Sequence, residues 1–253
     1  MLAAERQKKI LELLSTDGVV MVSKLSAEFG VTEETVRRDL ENLESQELLR
    51  RTHGGALRME EGSYELSLEK RKAFNVEVKQ KLARKAAQSI ATGDTVFLDA
   101  STTTFYLAKE IKNMKNVTVI TNSIRVINEL IGAEGVKVVV VGGIVSNNQS
   151  MVGAMTENYI RENYFADKMF FSSKGIGNNA IILEGNEQEC FIKQIMIKNS
   201  RKHYYLCDKS KIDRVGYMRL STFEDIDYFV TDAKVSGLLK NTLEVYNVEV
   251  INI

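Results

Sequence analysis

The sequence predicts an α/β protein in two parts: an N-terminal winged helix-turn-helix and a larger Rossmann-like domain on a mostly parallel sheet. Three observations predict it. Near the N-terminus, two short amphipathic helices are joined by a tight glycine turn, and an alternating run broken at Gly54-Gly55 follows them. From residue 75 onward, Val/Ile-rich runs alternate with helical stretches, the pattern of a parallel sheet covered on both faces. With 44% hydrophobic and 27% charged residues over 253 positions, the chain has the composition of a soluble protein able to bury such a core.

The elements follow in chain order. RQKKILELLST (6–16) carries Ile10, Leu13 and Leu14 at helical spacing. Ser23 is placed to cap a second helix, KLSAEF, with Leu25 and Phe29 on one face and Gly30 as its stop. Thr32 caps a third, which continues through Thr35, Val36, Leu40 and Leu43. ELLRRTHGGALRM then alternates as a hairpin or wing would. The charged stretch from Arg58 to Phe74 has no clear period and reads as a connection. The expected boundaries are therefore a first domain at 1–57, a linker at 58–74 and a second domain at 75–253. Strands are expected at TVFLD (95–99), VTVIT (117–121), VKVVVVG (136–142), DKMFFSS (167–173), HYYLCD (203–208), IDYFVTD (226–232) and VEVINI (248–253), with helices such as VEVKQKLARKAAQSI and FYLAKEI between them.

Several function classes lose support. No apolar run approaches the roughly 20 residues of a membrane span. MLAAERQKKILELLS meets charges too early for a secretory signal. Cys190 and Cys207 are too few for a disulfide framework, so reduced thiols in a cytoplasm are expected. His53 and His203 stand apart, and no Cys/His spacing suggests zinc. Gly175-x-Gly177-x-x-Ala180 matches a dinucleotide fingerprint, but no helix starts at the right place after it and no acidic residue closes a second strand about 20 residues on. No Gly-x-Ser-x-Gly elbow is present. No cofactor is expected.

The third helix places Thr32, Glu33, Thr35, Val36, Arg37 and Arg38 in its first two turns, the part of a helix-turn-helix that enters the major groove. An arginine can grip guanine through two donors; a threonine can bond phosphate or touch a thymine methyl. Arg50, Arg51, Thr52 and the wing around His53 and Gly54 would meet the flanking backbone or minor groove, with the glycines allowing a tight turn or close approach to phosphates. The competing reading of an Arg-Arg doublet is a solvated helix face. The first 58 residues hold nine Lys/Arg against ten Asp/Glu, and the whole chain has zero net charge, so DNA affinity must come from local placement and from pairing two modules.

In the second domain, strands end in small polar residues: Asp99 followed by Ser101, Thr102, Thr103 and Thr104; Thr121-Asn122-Ser123; Gly142-Gly143; and, further on, Asp208 to Lys211. Ligands of open parallel sheets bind outside the carboxyl ends of strands, and hydroxyls and amides at a helix start make an anion site. Ser101 to Thr104 would then cradle a phosphate while Asp99 or Asn122 bonds a sugar hydroxyl; the competing reading is plain N-capping. Glu189 and Lys193 are four apart in EQECFIKQIMIKN, where Phe191, Ile192, Ile195 and Met196 supply the buried stripe, and the pair reads as a surface contact contributing about 0.2–0.5 kcal/mol.

The order Arg6-x-x-x-Ile10-x-x-x-Leu14, Thr32-x-x-Thr35-Val36-Arg37-Arg38-Asp39-Leu40 and Arg51-Thr52-His53-Gly54-Gly55-Ala56 resembles the N-terminal domain of the DeoR family of bacterial transcriptional regulators. DASTTT, ITNS, VVGG, VGAMTEN, DKMFFSSKGI, EQECFIKQIMIKN, LCDKSK and FVTD continue it in the order of that family's sensor domain, so the resemblance covers nearly the whole chain. It implies a DNA-binding repressor of carbohydrate metabolism, a homo-dimer or homo-tetramer, that binds operator DNA and is controlled by a phosphorylated sugar or related metabolite. The sensor domain would be similar in fold to ribose phosphate isomerases. Carried over by position, Ser101 to Thr104 would hold the phosphate; Asp99, Asn122, Gly142, Gly143, Lys174, Glu189, Lys193 and Lys211 would line the rest. Two departures stand out: the first loop reads Asp-Ala-Ser-Thr-Thr where a glycine commonly precedes the threonines, and Gly177 stands where an acidic residue often sits. Two other functions fit the same sequence: a sugar-phosphate isomerase with Glu189 as base, and an interaction module without a ligand.

Overall fold

The computed structural model describes residues 3–45, 49–52, 54–58, 68–214 and 216–253. The chain divides into two compact units, residues 1–61 and 62–253.

In the first unit, α1 (Ala3–Asp17) leads through β1 (Val19–Met21) into α2 (Val22–Phe29) and α3 (Glu33–Ser45); β2 (Leu49–Thr52) and β3 (Gly55–Arg58) form the wing. Strand order is β1-β3-β2, with antiparallel pairing. Ile10, Leu25, Val36, Leu40, Leu43, Leu49 and Ala56 make the core. Gly30 stops α2 in the left-handed conformation, at φ 63°. Two expectations change. Ser23 is not the cap of α2: it lies exposed inside the first turn, and Met21 takes the cap position without a side-chain bond. The strand supplies what a cap would, because the Val22 N–H donates to the Gly54 carbonyl at 2.9 Å. Val36 is wholly buried in the core, so its side chain cannot reach a base. The glycine pair also divides its work: a Cβ on Gly55 would lie 1.9 Å from the Val20 carbonyl oxygen, whereas one on Gly54 would meet nothing nearer than Met21 Cε at 3.5 Å. Gly55 is required by the close approach of β3 to β1, not by phosphates.

The second unit is built on a seven-stranded sheet, as described, in the order β15-β14-β12-β9-β4-β5-β6. Its members are β4 (Thr95–Leu98), β5 (Val117–Thr121), β6 (Val136–Val140), β9 (Ala166–Phe171), β12 (Ser200–Cys207), β14 (Tyr228–Thr231) and β15 (Glu249–Asn252), and every pairing is parallel. They are the seven strands expected from the apolar runs, each a residue or two shorter than expected or of the same length at its carboxyl end. Side chains alternate between two cores. Val96, Leu98, Val119, Phe170, Tyr204 and Val230 pack with α5 (Val76–Ala87), α6 (Thr102–Ile111) and α7 (Ile124–Leu130). Phe97, Met169, Phe171, Tyr205 and Phe229 face the other way, toward α8 (Ala154–Asn163), α9 (Glu187–Lys198) and α10 (Gly237–Val245).

The remaining elements are short. β7 (Ile144–Val145) and β8 (Met151–Val152) make a hairpin, and β10 (Gly175–Ile176), β11 (Ile181–Glu184) and β13 (Met218–Thr222) a small antiparallel sheet. The glycine-rich segment 175–180 is thus a strand, a turn and the approach to a second strand. Residues 68–73, expected within the linker, form α4 (Leu68–Ala73) and belong to the second unit; Arg71 Nη2 donates to Asn148 Oδ1 at 2.6 Å. Residues 59–67 of that linker lie outside the described residues. Among the described residues, no helix is long and apolar enough to cross a membrane.

Candidate functional site

On the first unit, α3 presents a short charged face. Thr32 Oγ1 accepts from the Thr35 N–H at 3.3 Å and shares a 2.9 Å hydrogen bond with Thr35 Oγ1, which sets the helix start. Arg37 pairs with Glu33 at 2.7 Å and Arg38 with Glu34 at 3.7 Å, both one turn apart and exposed. Such pairs are worth only about 0.3–0.5 kcal/mol and yield readily to a stronger acceptor. Asp39 instead turns inward and accepts from Arg6 Nε at 2.7 Å, fastening α1 to α3. Arg51 is held by α3 as well: its N–H donates to Glu44 Oε1 at 2.8 Å and its guanidinium lies 3.6 Å from Glu41. These contacts tie the wing to α3. Thr52 and Gly54 are exposed, Arg50 sits on β2 opposite Leu57, and His53 lies outside the described residues.

On the second unit, the sheet order creates the site. From β4 the chain runs outward through β5 and β6, then returns to β9 on the opposite side of β4. This reversal is a topological switch point, where loops diverge and leave a crevice. Asp99, just past β4, spans it: Oδ1 accepts from the Ser101 N–H at 3.1 Å and Thr104 Oγ1 at 2.7 Å, and Oδ2 accepts from the Ser172 N–H beyond β9 at 3.2 Å. Ser101 Oγ accepts from the Thr104 N–H at 3.1 Å and caps α6. Ser101 has an ordinary extended backbone, φ −70° and ψ 158°, so the position has no need of glycine and gains a cap from its hydroxyl. Beyond β5, Asn122 Nδ2 donates to the Met151 carbonyl at 2.9 Å, leaving the buried Oδ1 without a donor among the described residues.

The cations of the site have different roles. Lys193 is spent: Nζ donates to the Ser172 carbonyl at 2.9 Å, lies 3.2 Å from Asp99 and bonds Glu184. It and Glu189 are both buried, so their expected surface pair is replaced by longer-range bonds, and Glu189 accepts from Ser150 Oγ. Lys211, in the turn after β12, donates to Ser172 Oγ at 2.7 Å and the Ser173 carbonyl at 2.9 Å. Asp208 accepts from Asn75 Nδ2 at 3.0 Å and the Ser210 N–H at 3.1 Å. Burial pushes its pKa up, but Lys211 and the Ser210 and Asn75 bonds prevail, and it is lowered. Lys79 is almost wholly buried and donates to the Phe74 and Arg71 carbonyls. Burial, then the charge of Lys211, lowers its pKa to about 8.

The structure therefore gathers Asp99, Ser101 to Thr104, Asn122, Lys193 and Lys211 around the carboxyl ends of four strands. Thr121 and Ser123 are committed to it as local scaffolding: Thr121 Oγ1 donates to the Leu98 carbonyl at 2.7 Å, and Ser123 Oγ caps α7. Lys174 follows β9 and is half-buried. Gly142 and Gly143 are exposed and brace α8 instead of joining the cluster; a Cβ on Gly143 would meet Thr156 Oγ1 at 1.9 Å. Gly177 is buried, and a Cβ there would crowd only side-chain ends, Asn179 Oδ1 at 2.9 Å and Leu183 Cδ1 at 3.1 Å, which would have to shift. Phe191 faces solvent more than its neighbours Ile192, Ile195 and Met196 do, at 38% exposed. Lys79 and Arg125 escaped the sequence reading. Lys79 had a signal: with Leu82, Ala83 and Ala86 it occupies the apolar stripe of α5, an odd place for a lysine. Arg125 had none beyond its place just after a helix cap.

Comparison with known proteins gives the same division. The DeoR-like helix-turn-helix domain matches residues 6–61 and the DeoR C terminal sensor domain residues 74–233. The chain is 36% identical over 251 residues to the HTH-type transcriptional regulator YulB of Bacillus subtilis, covering 99% of this chain and 96% of that protein. It is 32% identical over 230 residues to the glycerol-3-phosphate regulon repressor of Escherichia coli, covering 90% of each. Among solved structures, ribose 5-phosphate isomerase A from Methanocaldococcus jannaschii is similar over 55% of each chain with a TM-score of 0.42 and 17% identity, too distant to bear on chemistry. A reader module and a sensor module, matched in order and over almost the full length, place this chain in the DeoR family of DNA-binding transcriptional regulators.

Proposed function

We propose that the chain is a cytoplasmic repressor of carbohydrate-metabolism genes that releases operator DNA when its second unit binds a phosphorylated sugar or polyol. One observation carries the reading: the carboxyl ends of the strands around the switch point present the start of α6, Lys211 and the buried Asn122 Oδ1, which has no donor among the described residues. Donors for an anion next to an acceptor for a hydroxyl suit one ligand bearing both. The first amides of α6 have no partner within the helix and point outward with the positive end of its dipole. The name of the Escherichia coli relative, a glycerol-3-phosphate regulon repressor, agrees with this class. Binding without turnover is the reading chosen over an isomerase, because the same chain carries a DNA reader.

The reader module holds no excess of positive charge, so a homo-dimer or homo-tetramer is needed to set two modules on half-sites about 34–36 Å apart. Effector and operator are coupled if the DNA-bound and free conformations differ in affinity for the metabolite; about 1–3 kcal/mol would shift operator affinity roughly 5- to 150-fold. The test is to select operator duplexes from random sequence and titrate the complex with phosphorylated sugars and polyols. Release by a phosphate ester, and none by its dephosphorylated form, is expected. Complexes that stay intact across the series would reject the proposal.

Two predictions accompany it. Arg38→Ala should weaken operator binding by about 1–3 kcal/mol if that guanidinium reads a base, with phosphate-ester affinity unchanged by calorimetry; equal loss of both would contradict the division of labour. The second concerns pH. Below about 8 Lys79 is charged and adds to the positive field around Lys211; above it the amine is neutral. A phosphate ester is already doubly charged there, its second pKa being about 6. Affinity should therefore fall from pH 8 to 9.5, with uptake of protons on binding that is absent in Lys79→Met. A flat profile would remove Lys79 from the site.

A further inference from the structure

Arg125 is only 6% exposed. Its Nη2 donates to the Ala100 carbonyl at 2.6 Å, while Nε and Nη1 have no acceptor among the described residues. A guanidinium does not shed its proton in a protein, and a buried cation short of partners is costly unless something supplies the missing charge. Burial, then the charge of Arg71, lowers the pKa of Arg125, and Asp99, Glu189 and Glu69 oppose this only in part.

The side chain borders a groove between α6 and α7, lined also by Thr102, Phe105, Tyr106 and Glu129 and by Lys72, whose ammonium pairs at 2.7 Å with Glu69, an exposed partner it can leave for a stronger acceptor. The groove encloses about 470 Å³, within the range of small-molecule sites. Its carboxylate, Glu129, is engaged by Lys112 at 3.1 Å and so does not neutralise Arg125. The Phe105 ring lies 5.7 Å from the guanidinium and holds its plane in place. Asp99, Asn122, Lys193 and Lys211 do not border this groove, so a charge seated here is separate from one seated at the strand ends. Thr102 opens α6 directly after the Ser101 cap and also lines the groove, so the groove adjoins the loop expected to hold the phosphate.

We propose that the groove is a second anion subsite anchored by Arg125 and Lys72, and that the effector is a two-ended acid: a sugar bisphosphate or a phosphorylated sugar acid. This rests on the phosphate-ester reading of the strand ends and narrows it.

The test is calorimetry on the full chain with fructose 6-phosphate as a one-ended probe and fructose 1,6-bisphosphate and 6-phosphogluconate as two-ended ones. At least one two-ended probe should bind roughly 10- to 100-fold tighter, the worth of a hydrogen bond to a charged group. Arg125→Met should erase that advantage and leave fructose 6-phosphate binding intact, which also shows that the variant is folded. Lys72→Met, on the rim, should cut the advantage by roughly threefold. Which two-ended probe wins distinguishes phosphate from carboxylate in the groove. Equal binding of all three probes by the unmodified protein would overturn the subsite while the strand-end reading stands. Loss of fructose 6-phosphate alongside the others in both variants would assign Arg125 to the first anion and also overturn it. If no probe binds even at millimolar concentration, the strand-end reading falls, and the subsite with it.

Discussion

Lys193→Met is expected to cost the second unit about 3–5 kcal/mol, the usual penalty for breaking a buried ion pair by removing one partner. The ammonium is 5% exposed and lies between Asp99 and Glu184, which are 1% and 3% exposed. Burial alone would pull its pKa down; Glu184, then Asp99 and Glu189, outweigh burial and raise it. Methionine fills the space but leaves both carboxylates in the interior without their cation. Urea unfolding at neutral pH checks the magnitude, and adding Glu184→Gln should return more than about 1 kcal/mol if the two residues are coupled. A loss below about 1 kcal/mol would mean that this network does not hold the switch point together. Because Asp99 ties the loop after β4 to the one after β9, phosphate-ester binding should weaken along with stability.

Asp39→Ala should unfold the reader module while sparing the second unit's ligand binding. Asp39 is 3% exposed and accepts from Arg6 Nε at 2.7 Å and Gln7 Nε2 at 3.3 Å. Removing a buried partner costs about 3–5 kcal/mol. A unit of this size has roughly 0.05–0.15 kcal/mol of stability per residue to lose, so a single substitution can exhaust it. Hydrogen exchange of the α1 and α3 amides should become fast, operator binding should vanish, and phosphate-ester titration should persist. Slow exchange in α1 and α3 would show that the hydrophobic core alone holds the module. The contrast with Arg38→Ala is informative, since Arg38 is exposed and its loss should leave those amides protected.

Much of the fold was legible because its signals are local. The seven central strands followed from apolar runs, the stop of α2 from Gly30, the starts of α3 and α9 from Thr32 and from EQECFIKQIMIKN. The small sheet of β10, β11 and β13 was not legible, because it pairs β11 with a strand more than thirty residues further along the chain, a pairing that no local pattern announces. The cap of α2 was misplaced for a related reason: the acceptor that replaces a Ser23 cap comes from Gly54, more than thirty residues away in the chain. Val36 looked like a reader from its position along the helix, although its spacing with Leu40 and Leu43 at i, i+4 and i+7 already put it on the inward face.

The sequence by itself determined the two-part architecture, the seven strands of the central sheet and the polar loops at their ends, since hydrophobic period, capping and glycine placement act over a few residues. Tertiary structure alone decided which charges are spent and which are left over. Lys193 is consumed by Asp99 and Glu184 and Arg6 by Asp39, while Arg125 and Asn122 keep buried atoms without a partner among the described residues. That distinction is set by pairings between residues far apart in the chain, and by the reversal of strand order beside β4 that brings them to one crevice.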